Sequence, residues 1–381
     1  MFEMWEKQKK NKKNVYLNKQ IKILYLITTL DLGGAERHLL ELCRSIGSNK
    51  NVSSQVVFLK GSGSLAEEFE DLGIAVLKCP SINFFVQVTF LVKLSRNKVD
   101  IIHAHLPKAE LIGFVVARLN RLRLTVTRHN CEEFWMKSPR LLSKTMSKII
   151  CSKSSSIVAI SNSVQEFLIA NNQVTNKQRG KIRQIYYGFD DTTMQKKEMR
   201  LLVKNEKIQI GTIARLEPQK DIETFLMAMH LLKSNGQDFQ GRILGEGRLL
   251  HDLQKMTDSL GLENSIRFEG KSESVDDFLD SLDLFVLTSQ YEGFGVVLIE
   301  AMRRGVPILA SRTTSIPEVM GERYPGLFKV GDESEIVDLI LRSRNKDFRN
   351  ELCQVYTERL NRFCASRMGE RHMNLYQEII L

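Results

Sequence analysis

Several things are missing from this 381-residue sequence, and each absence excludes something. No apolar run reaches 18 residues, so no transmembrane helix is expected. The six cysteines, Cys43, Cys79, Cys131, Cys151, Cys353 and Cys364, form no Cys-x-x-Cys pair. That argues against a disulfide framework or a structural zinc site, and fits a reducing cytoplasm. No Asp-x-Asp occurs, nor does Gly-x-Gly-x-x-Gly, and no acidic residue stands where a dinucleotide-binding unit would carry one after its second strand. Together these count against a dehydrogenase. There is no internal repeat and no low-complexity segment. With only 7 Pro, 23 Gly and 43% hydrophobic residues, the chain is neither disordered nor collagen-like.

What the chain has in excess is positive charge, and it is unevenly placed. Residues 1–200 hold 32 Lys and Arg against 17 Asp and Glu, net +15; residues 201–381 hold 23 against 28, net −5. A one-sided basic surface points to an anionic partner: a membrane, a nucleic acid or an acidic substrate. A solvated face with no partner is the bland reading. Aromatics are not interleaved with the basic residues as base stacking requires, and no nucleic-acid motif occurs, so no nucleic-acid partner is expected. Residues 1–20, with Lys7, Lys9, Lys10, Lys12 and Lys13, precede an apolar segment and mimic a signal peptide. Lys22 interrupts that segment and a Gly-Gly turn follows it, so Ile21–Thr28 reads as a buried first strand behind a mobile tail.

Thirteen short apolar runs alternate with helical patterns. In the first half they are Ile21–Thr28, Gln55–Leu59, Ala75–Cys79, Val99–Ala104, Leu124–Thr127, Ser156–Ile160 and Lys181–Tyr186. In the second they are Gln209–Ile213, Gly241–Leu244, Ser265–Phe268, Leu284–Leu287, Pro307–Ala310 and Gly326–Val330. Continuously apolar strands separated by helices mean parallel sheets covered on both faces. The helix Ala35–Ile46 turns Leu39, Leu42, Cys43 and Ile46 inward. Gly47, Gly73, Gly261 and Gly305 are placed to close helices in the left-handed conformation. Asp221 is placed to cap a helix whose core side is Ile222, Phe225, Leu226 and Met229. The polar stretch Asp190–Lys207 breaks the rhythm. The expected architecture is α/β: two doubly wound Rossmann-like domains, 21–190 and 208–360, facing a central cleft. A linker at 191–207 joins them, and a C-terminal helix at 361–381 returns to the first. Ligands of such sheets bind outside the carboxyl ends of the strands.

Three stretches carry chemistry. In Leu287–Gly305, LTSQYEGFGVVLIEAMRRG, a strand gives way to a loop with Glu292, Gly293 and Gly295. A helix follows from Val296 that is apolar nearly all round yet contains Glu300. Helical side chains lean toward the N-terminus, so Glu300 is expected to point back at the loop of Glu292. N–H groups from Phe294 onward suit a phosphate, and the carboxylates suit sugar hydroxyls. In Gln209–Asp221, Arg215 and Lys220 follow a strand's carboxyl end and could clamp a diphosphate. In Leu30–Glu36, Gly33 and Gly34 open a helix and allow close backbone approach to a ligand.

Glu292 and Glu300 form an E-x7-E pattern. With GGAERH, DIIHAHLP, TRHN, VAISNSV, YGFD, GTIARLEPQKD, LGEG, SQYEGFG and IPEV in order, the chain resembles the retaining nucleotide-sugar glycosyltransferases of family four, which have the GT-B architecture. The resemblance covers residues 21–381. It implies that Glu292 holds the donor sugar's hydroxyls, Glu300 the nucleotide ribose, and Arg215 and Lys220 the leaving diphosphate. Gly33 and Gly34 line the donor–acceptor junction, and His129 sits beside the anomeric centre. Gly245, Phe294, Gly295 and Val296 fall on the donor side. Two positions depart from the family: Tyr187 stands where Asn usually precedes the Gly of YGFD, and Arg248 where Pro usually follows LGEG. The implied reaction transfers a hexosyl or N-acetylhexosaminyl group from a UDP- or GDP-sugar to a glycan or lipid-linked acceptor in cell-surface polysaccharide synthesis. The leaving phosphate takes the acceptor's proton on the same face. No cofactor is expected, and with no Asp-x-Asp no catalytic metal.

His103 and His105 alternate on a strand and so share a face, and His129 ends another strand; three histidines could hold zinc, but no carboxylate spacing supports it and a buried, hydrogen-bonded role suits His103. The cluster Arg118–Lys153 holds nine Lys and Arg and two Glu. Phe134 and Trp135 precede a helix started by Pro139. Its pattern turns Leu142, Met146 and Ile149 to one side and Arg140, Lys144 and Lys148 to the other. This is either a core-packed helix with a wet basic back or a peripheral membrane face in the basic half, at the inner face of the plasma membrane. A nucleotide-sugar epimerase on the same architecture and a non-enzymatic binder of anionic polymers are the alternatives.

Overall fold

The computed structural model describes residues 20–47, 49–132, 134, 139–190, 207–271 and 274–381. The tail 1–19, Trp135 and the linker residues 191–206 named above lie outside them. The chain forms two compact units, one reaching Asp190 and taking back Phe363–Leu381, the other ending at Arg362.

The first unit is built on seven parallel strands: β1 (Ile21–Ile27), β2 (Val52–Phe58), β3 (Ala75–Lys78), β4 (Ile101–His105), β5 (Arg123–Arg128), β6 (Ser156–Ala159) and β7 (Ile182–Gln184), in the order β3-β2-β1-β4-β5-β6-β7. The second has six: β8 (Ile208–Ile213), β9 (Phe239–Leu244), β10 (Ile266–Gly270), β11 (Leu284–Leu287), β12 (Ile308–Ser311) and β13 (Leu327–Phe328), in the order β10-β9-β8-β11-β12-β13. Each apolar run of the sequence contributes one strand. Covered by helices on both faces, the inner strands β4, β6, β11 and β12 bury their side chains along their whole length, whereas the edge strands β3 and β10 are largely unburied. In both units the first strand lies between the second and the fourth. The chain reverses direction across the sheet there, which opens a crevice at the carboxyl ends of β1 and β4 and of β8 and β11.

Helix Gly34–Gly47 buries Leu39, Leu42, Cys43 and Ile46 against the sheet, and His38 and Leu40 as well. The extra burial comes from helix Ala365–Ile380, which packs over it. That helix is strapped to the first unit by the Phe189 N–H, which donates to the Phe363 carbonyl at 2.9 Å, and the Ala365 N–H, which donates to the Phe189 carbonyl at 2.7 Å. A Cβ at Gly188 would come within 2.7 Å of the Ala365 Cα, so only glycine lets the two segments meet. In the second unit Asp221 caps helix Ile222–Ser234 through the Thr224 N–H, and Phe225, Leu226 and Met229 are fully buried. Each such side chain contributes roughly 1.5–3 kcal/mol.

Two local expectations fail. Gly73, Gly261 and Gly305 take positive φ, but Gly47 does not; it is still part of its helix. Helix Arg140–Lys153 is turned the other way round. Leu142 and Ile149 are exposed, Met146 is half-buried, and the inward side is Ser143, Ser147, Ile150 and Cys151. The serines go inside because their hydroxyls find partners there. Ser147 Oγ donates to Gln173 Oε1 at 3.0 Å and accepts from Arg128 Nη2 at 3.2 Å.

Candidate functional site

In the second unit the candidate residues follow the two strands that flank the crevice. After β8 the chain runs through Arg215, exposed and without an acidic partner among the described residues, into a short 3₁₀ turn, Pro218–Lys220. After β11 it runs into the loop of Glu292. These loops are joined by a charge-assisted contact, Lys220 Nζ to Glu292 Oε1 at 2.6 Å, with both side chains largely buried. Ser289 Oγ also donates to Glu292 Oε1, at 2.7 Å. Gln219 Nε2 donates to the Tyr291 carbonyl, and the Gln290 N–H to the Gln219 carbonyl, both at 2.9 Å. Lys220 is therefore a cation already balanced by one carboxylate, whereas Arg215 keeps its charge facing water.

The loop is also held from the far side, by residues the sequence reading did not single out. The Glu292 N–H donates to Thr314 Oγ1 at 2.8 Å, and Ser315 Oγ donates to the Glu292 carbonyl at 3.1 Å. Thr314 has φ of +41°, a conformation a β-branched residue adopts only under constraint. The strain is offset by this tie to Glu292. The only trace in the sequence is that TTS precedes IPEV.

Gly295, at φ +82°, starts helix Val296–Arg303 without a side-chain cap, and the first-turn N–H groups of a helix lack intrahelical acceptors. Phe294 is buried beneath. The helix is not apolar all round. Glu300 lies half-buried on the side of Val296 and Val297, while Leu298, Ile299, Ala301 and Met302 are buried. Glu300 is thus a carboxylate at the edge of the site rather than one sunk in hydrocarbon. Gly245 takes φ +142°, and a Cβ there would lie 1.9 Å from the Ala214 carbonyl oxygen. Its glycine is needed to bring the end of β9 against the end of β8. Arg248 pairs with Glu217 at 2.8 Å, tying the LGEG loop to the Arg215 loop.

In the first unit Gly33 precedes helix Gly34–Gly47, and its Cβ position lies 2.5 Å from Glu36 Oε2. Glu36 Oε1 accepts from Thr29 Oγ1 at 2.6 Å. Glycine at 33 therefore first serves a carboxylate folded back over it. Behind this turn lies a buried network of five histidines. His103 bridges Tyr376 OH and Thr127 Oγ1, both at 2.7 Å. His129 bridges Tyr187 OH at 2.5 Å and His105 Nδ1 at 3.1 Å. His38 stacks on Tyr187 with ring centroids 4.1 Å apart. Burial, reinforced by Arg128, pushes the His129 imidazole down to about 3; burial takes His372 down to about 4; His38, His103 and His105 are lowered by burial and then by neighbouring imidazoles, His129 and His372 among them. The rings are neutral at pH 7.

Both nitrogens of His129 are spent inside the protein, as are those of His103. Both of His38, Nε2 of His105 and Nε2 of His372 find no partner among the described residues. No group of three or more His, Cys, Asp or Glu suited to a metal ion occurs among those residues. Sequence reasoning missed His38, His372, Tyr187 and Tyr376 as members of this network; the reach of His372 and Tyr376 from the C-terminal helix to β4 leaves no local signal. Among the described residues no helix is long and apolar enough to cross a membrane.

The chain is similar to known proteins along most of its length. A capsular polysaccharide biosynthesis glycosyltransferase, CapH of Staphylococcus aureus, is 23% identical over 308 residues, 78% of this chain and 83% of the relative. The UDP-Gal:alpha-D-GlcNAc-diphosphoundecaprenol alpha-1,3-galactosyltransferase of Escherichia coli is 24% identical over 344 residues, 84% of this chain and 88% of the relative. Among solved structures, Anabaena HepE in complex with UDP and glucose superposes with a TM-score of 0.80 at 18% identity, over 94% of this chain and 100% of that one. Residues 32–193 match the family described as Glycosyltransferase Family 4, and residues 194–359 that described as Glycosyl transferases group 1. The ordered motifs, the twin doubly wound sheets and these two consecutive matches agree, and the chain belongs to the family 4 glycosyltransferases of GT-B architecture.

Proposed function

We propose that this glycosyltransferase moves a hexosyl or N-acetylhexosaminyl group from a UDP-sugar to a lipid-linked glycan acceptor, with retention at the anomeric carbon, in cell-surface polysaccharide synthesis. The observation that carries the reading is the Lys220–Glu292 contact at the crevice beyond β8 and β11. A cation beside a carboxylate, with uncommitted Arg215 and a helix start nearby, suits a sugar diphosphate: positive groups for the phosphates, an acceptor oxygen for the sugar hydroxyls. The UDP bound by HepE and the UDP-Gal and diphosphoundecaprenol in the name of the Escherichia coli relative support the choice of donor and acceptor class.

In the proposed step the acceptor hydroxyl oxygen bonds to the anomeric carbon as that carbon's bond to the diphosphate oxygen breaks, on the same face. The proton passes to the departing phosphate. Arg215 and Lys220 stabilise the charge growing on the diphosphate, worth most as the bond breaks. Glu292 orients the sugar hydroxyls and Glu300 the ribose. Gly245, Phe294, Gly295 and Val296 shape the donor side, and Gly33 and Gly34 line the junction of donor and acceptor. His129 enters as a positioning residue, because both its nitrogens are engaged. Neither a cofactor nor a metal is part of the reading.

The test is a panel of UDP-, GDP- and ADP-sugars screened for thermal stabilisation, followed by transfer to a lipid-diphosphate glycan and NMR of the new linkage. Stabilisation by a UDP-sugar, a longer lipid-linked product and an unchanged anomeric configuration are expected. An inverted linkage would remove the same-face mechanism. Stabilisation by GDP-sugars alone would replace the donor.

A further inference from the structure

Helix Arg140–Lys153 presents Leu141, Leu142 and Ile149 to water, which is the reverse of what its sequence pattern promised. It is not isolated in this. All the large hydrophobic side chains exposed among the described residues fall in the first unit. Six of them, Leu32, Ile82, Phe85, Val86, Leu141 and Leu142, follow the carboxyl ends of β1, β3 and β5. The strands are parallel, so these positions share one end of the sheet. Helix Phe84–Ser95 packs on helix Pro107–Asn120, which packs on helix Arg140–Lys153. Their N-termini therefore stand in a row about 20 Å long, taking roughly 10 Å between neighbouring helix axes.

The row is studded with positive charge. Lys108, in the first turn of the middle helix, donates to the Ile82 carbonyl at 3.3 Å and so sits between the two apolar ends. Lys60 and Lys78 lie at the ends of β2 and β3, and Lys144 and Lys148 flank the apolar side of helix Arg140–Lys153. None of the five has an acidic partner among the described residues. Two acids that follow the same strand ends are engaged elsewhere: Asp31 with Ser62 and Gly63, Glu110 with Arg128. Apolar side chains ringed by unpaired lysines, in the half of the chain with net charge +15, match the chemistry of an anionic bilayer surface.

We propose that this end of the first unit docks on an anionic membrane, with Phe85, Leu141 and Leu142 entering the headgroup region and Lys108, Lys144 and Lys148 meeting the lipid charge. A second copy of the chain would instead need acidic groups opposite these lysines. The proposal deepens the reading of a lipid-linked acceptor, since docking here sets Gly33, His105 and His129, at the same end of the sheet, toward the surface where such an acceptor resides.

The experiment is sedimentation of the full chain with vesicles of phosphatidylcholine alone, or with phosphatidylglycerol added, at low and high salt. Binding is expected only with the anionic vesicles and is expected to weaken with salt. Leu141→Ser with Leu142→Ser, and separately Phe85→Ser, are expected to lower the partition coefficient about tenfold. Lys108→Glu, Lys144→Glu and Lys148→Glu are each expected to lower it at least about fivefold. In all of these variants thermal stabilisation by UDP is expected to be unchanged, which separates the surface from the donor site. Equal binding to neutral vesicles, no binding to anionic ones, or variants that sediment like the parent overturns the proposal. So does a variant that only dissociates an oligomer. If vesicle binding follows the expected pattern but the acceptor proves water-soluble, the acceptor reading falls and the docking surface stands.

Discussion

The two units share a strand order and differ in nearly everything that strand order leaves open. At the crevice of the first, five histidines are buried and neutral with Tyr187 and Tyr376, held by hydrogen bonds and ring contacts without charge. At that of the second, a lysine and a glutamate are in direct contact and an arginine faces water. The first unit exposes large hydrophobic side chains and carries the positive charge; the second exposes none of them among its described residues. The same topology thus frames two crevices of different chemistry. One is lined by neutral polar rings and hydroxyls, the other by charged side chains. Architecture decides where a ligand can bind, and side chains decide which ligand.

The comparison can be broken most forcefully with acid. Below about pH 6.5 an unfolded imidazole takes up a proton that the buried native ring refuses, so stability falls as pH falls. His129 and His372 each contribute a loss of about 2 kcal/mol by about pH 5. His38, His103 and His105 act in the same direction. The Glu110 carboxyl, pushed up to about 7 by burial against the pull of Arg128, has the opposite sign and offsets about one imidazole. Amide hydrogen exchange at pH 7 and pH 5 should show the first unit's sheet losing protection while β8–β13 keep theirs. Equal loss in both units would mean the histidines do not set the difference.

Next in size is Lys220→Ala. It removes the cation and leaves the Glu292 carboxylate without that counter-charge, and turnover should fall about 10²–10³-fold. Donor affinity should fall much less, because the charge matters most as the diphosphate leaves. Steady-state kinetics with a raised KM at full kcat would contradict this. Glu300→Gln should weaken donor binding by roughly 1.5–3 kcal/mol, measured by calorimetry, with the fold intact because Glu300 is only half-buried. Unchanged affinity would remove the ribose assignment.

The smallest effect is expected at Thr314. Thr314→Val keeps the branched shape and positive φ but deletes the acceptor of the Glu292 N–H. Stability should fall about 1 kcal/mol and the donor KM should rise a few-fold. Thr314→Gly relieves the φ strain while losing the same bond, so it should recover stability but not KM. If the two variants behave alike in both measurements, the tie to Glu292 has no role in the site.

The strands were legible because a buried parallel strand must be apolar throughout, and runs such as Leu284–Leu287 admit no other reading. Helix Arg140–Lys153 was misread for the converse reason. Ser143 and Ser147 count as polar, yet both are fully buried, Ser147 with Gln173 and Arg128 as partners, and they leave Leu141 and Leu142 outside. Lys220 and Glu292 could be singled out as charged residues following strands. That they touch could not, since the contact spans 72 residues and depends on the register of β8 and β11. Thr314 was invisible because its φ is imposed by tertiary structure, and residue type alone argues against it. Gly47 illustrates the limit of a single-residue signal: glycine permits the left-handed cap without requiring it.

The strap at Gly188 and the bond from Tyr376 to His103, which bridges 273 positions of sequence, have a consequence for biosynthesis. A nascent chain emerges N-terminus first at roughly 5–20 residues per second, and domains usually fold in that order. Here β1–β7 can form early, but helix Gly34–Gly47 stays bare and His103 lacks its tyrosine until residues 363–380 have left the ribosome. The second unit, whose residues form an uninterrupted stretch, reaches its complete set of contacts first. The first half of the chain to be made is the last to be finished, and for roughly 10–40 s of each synthesis the surface of His38 and Leu40 awaits its cover.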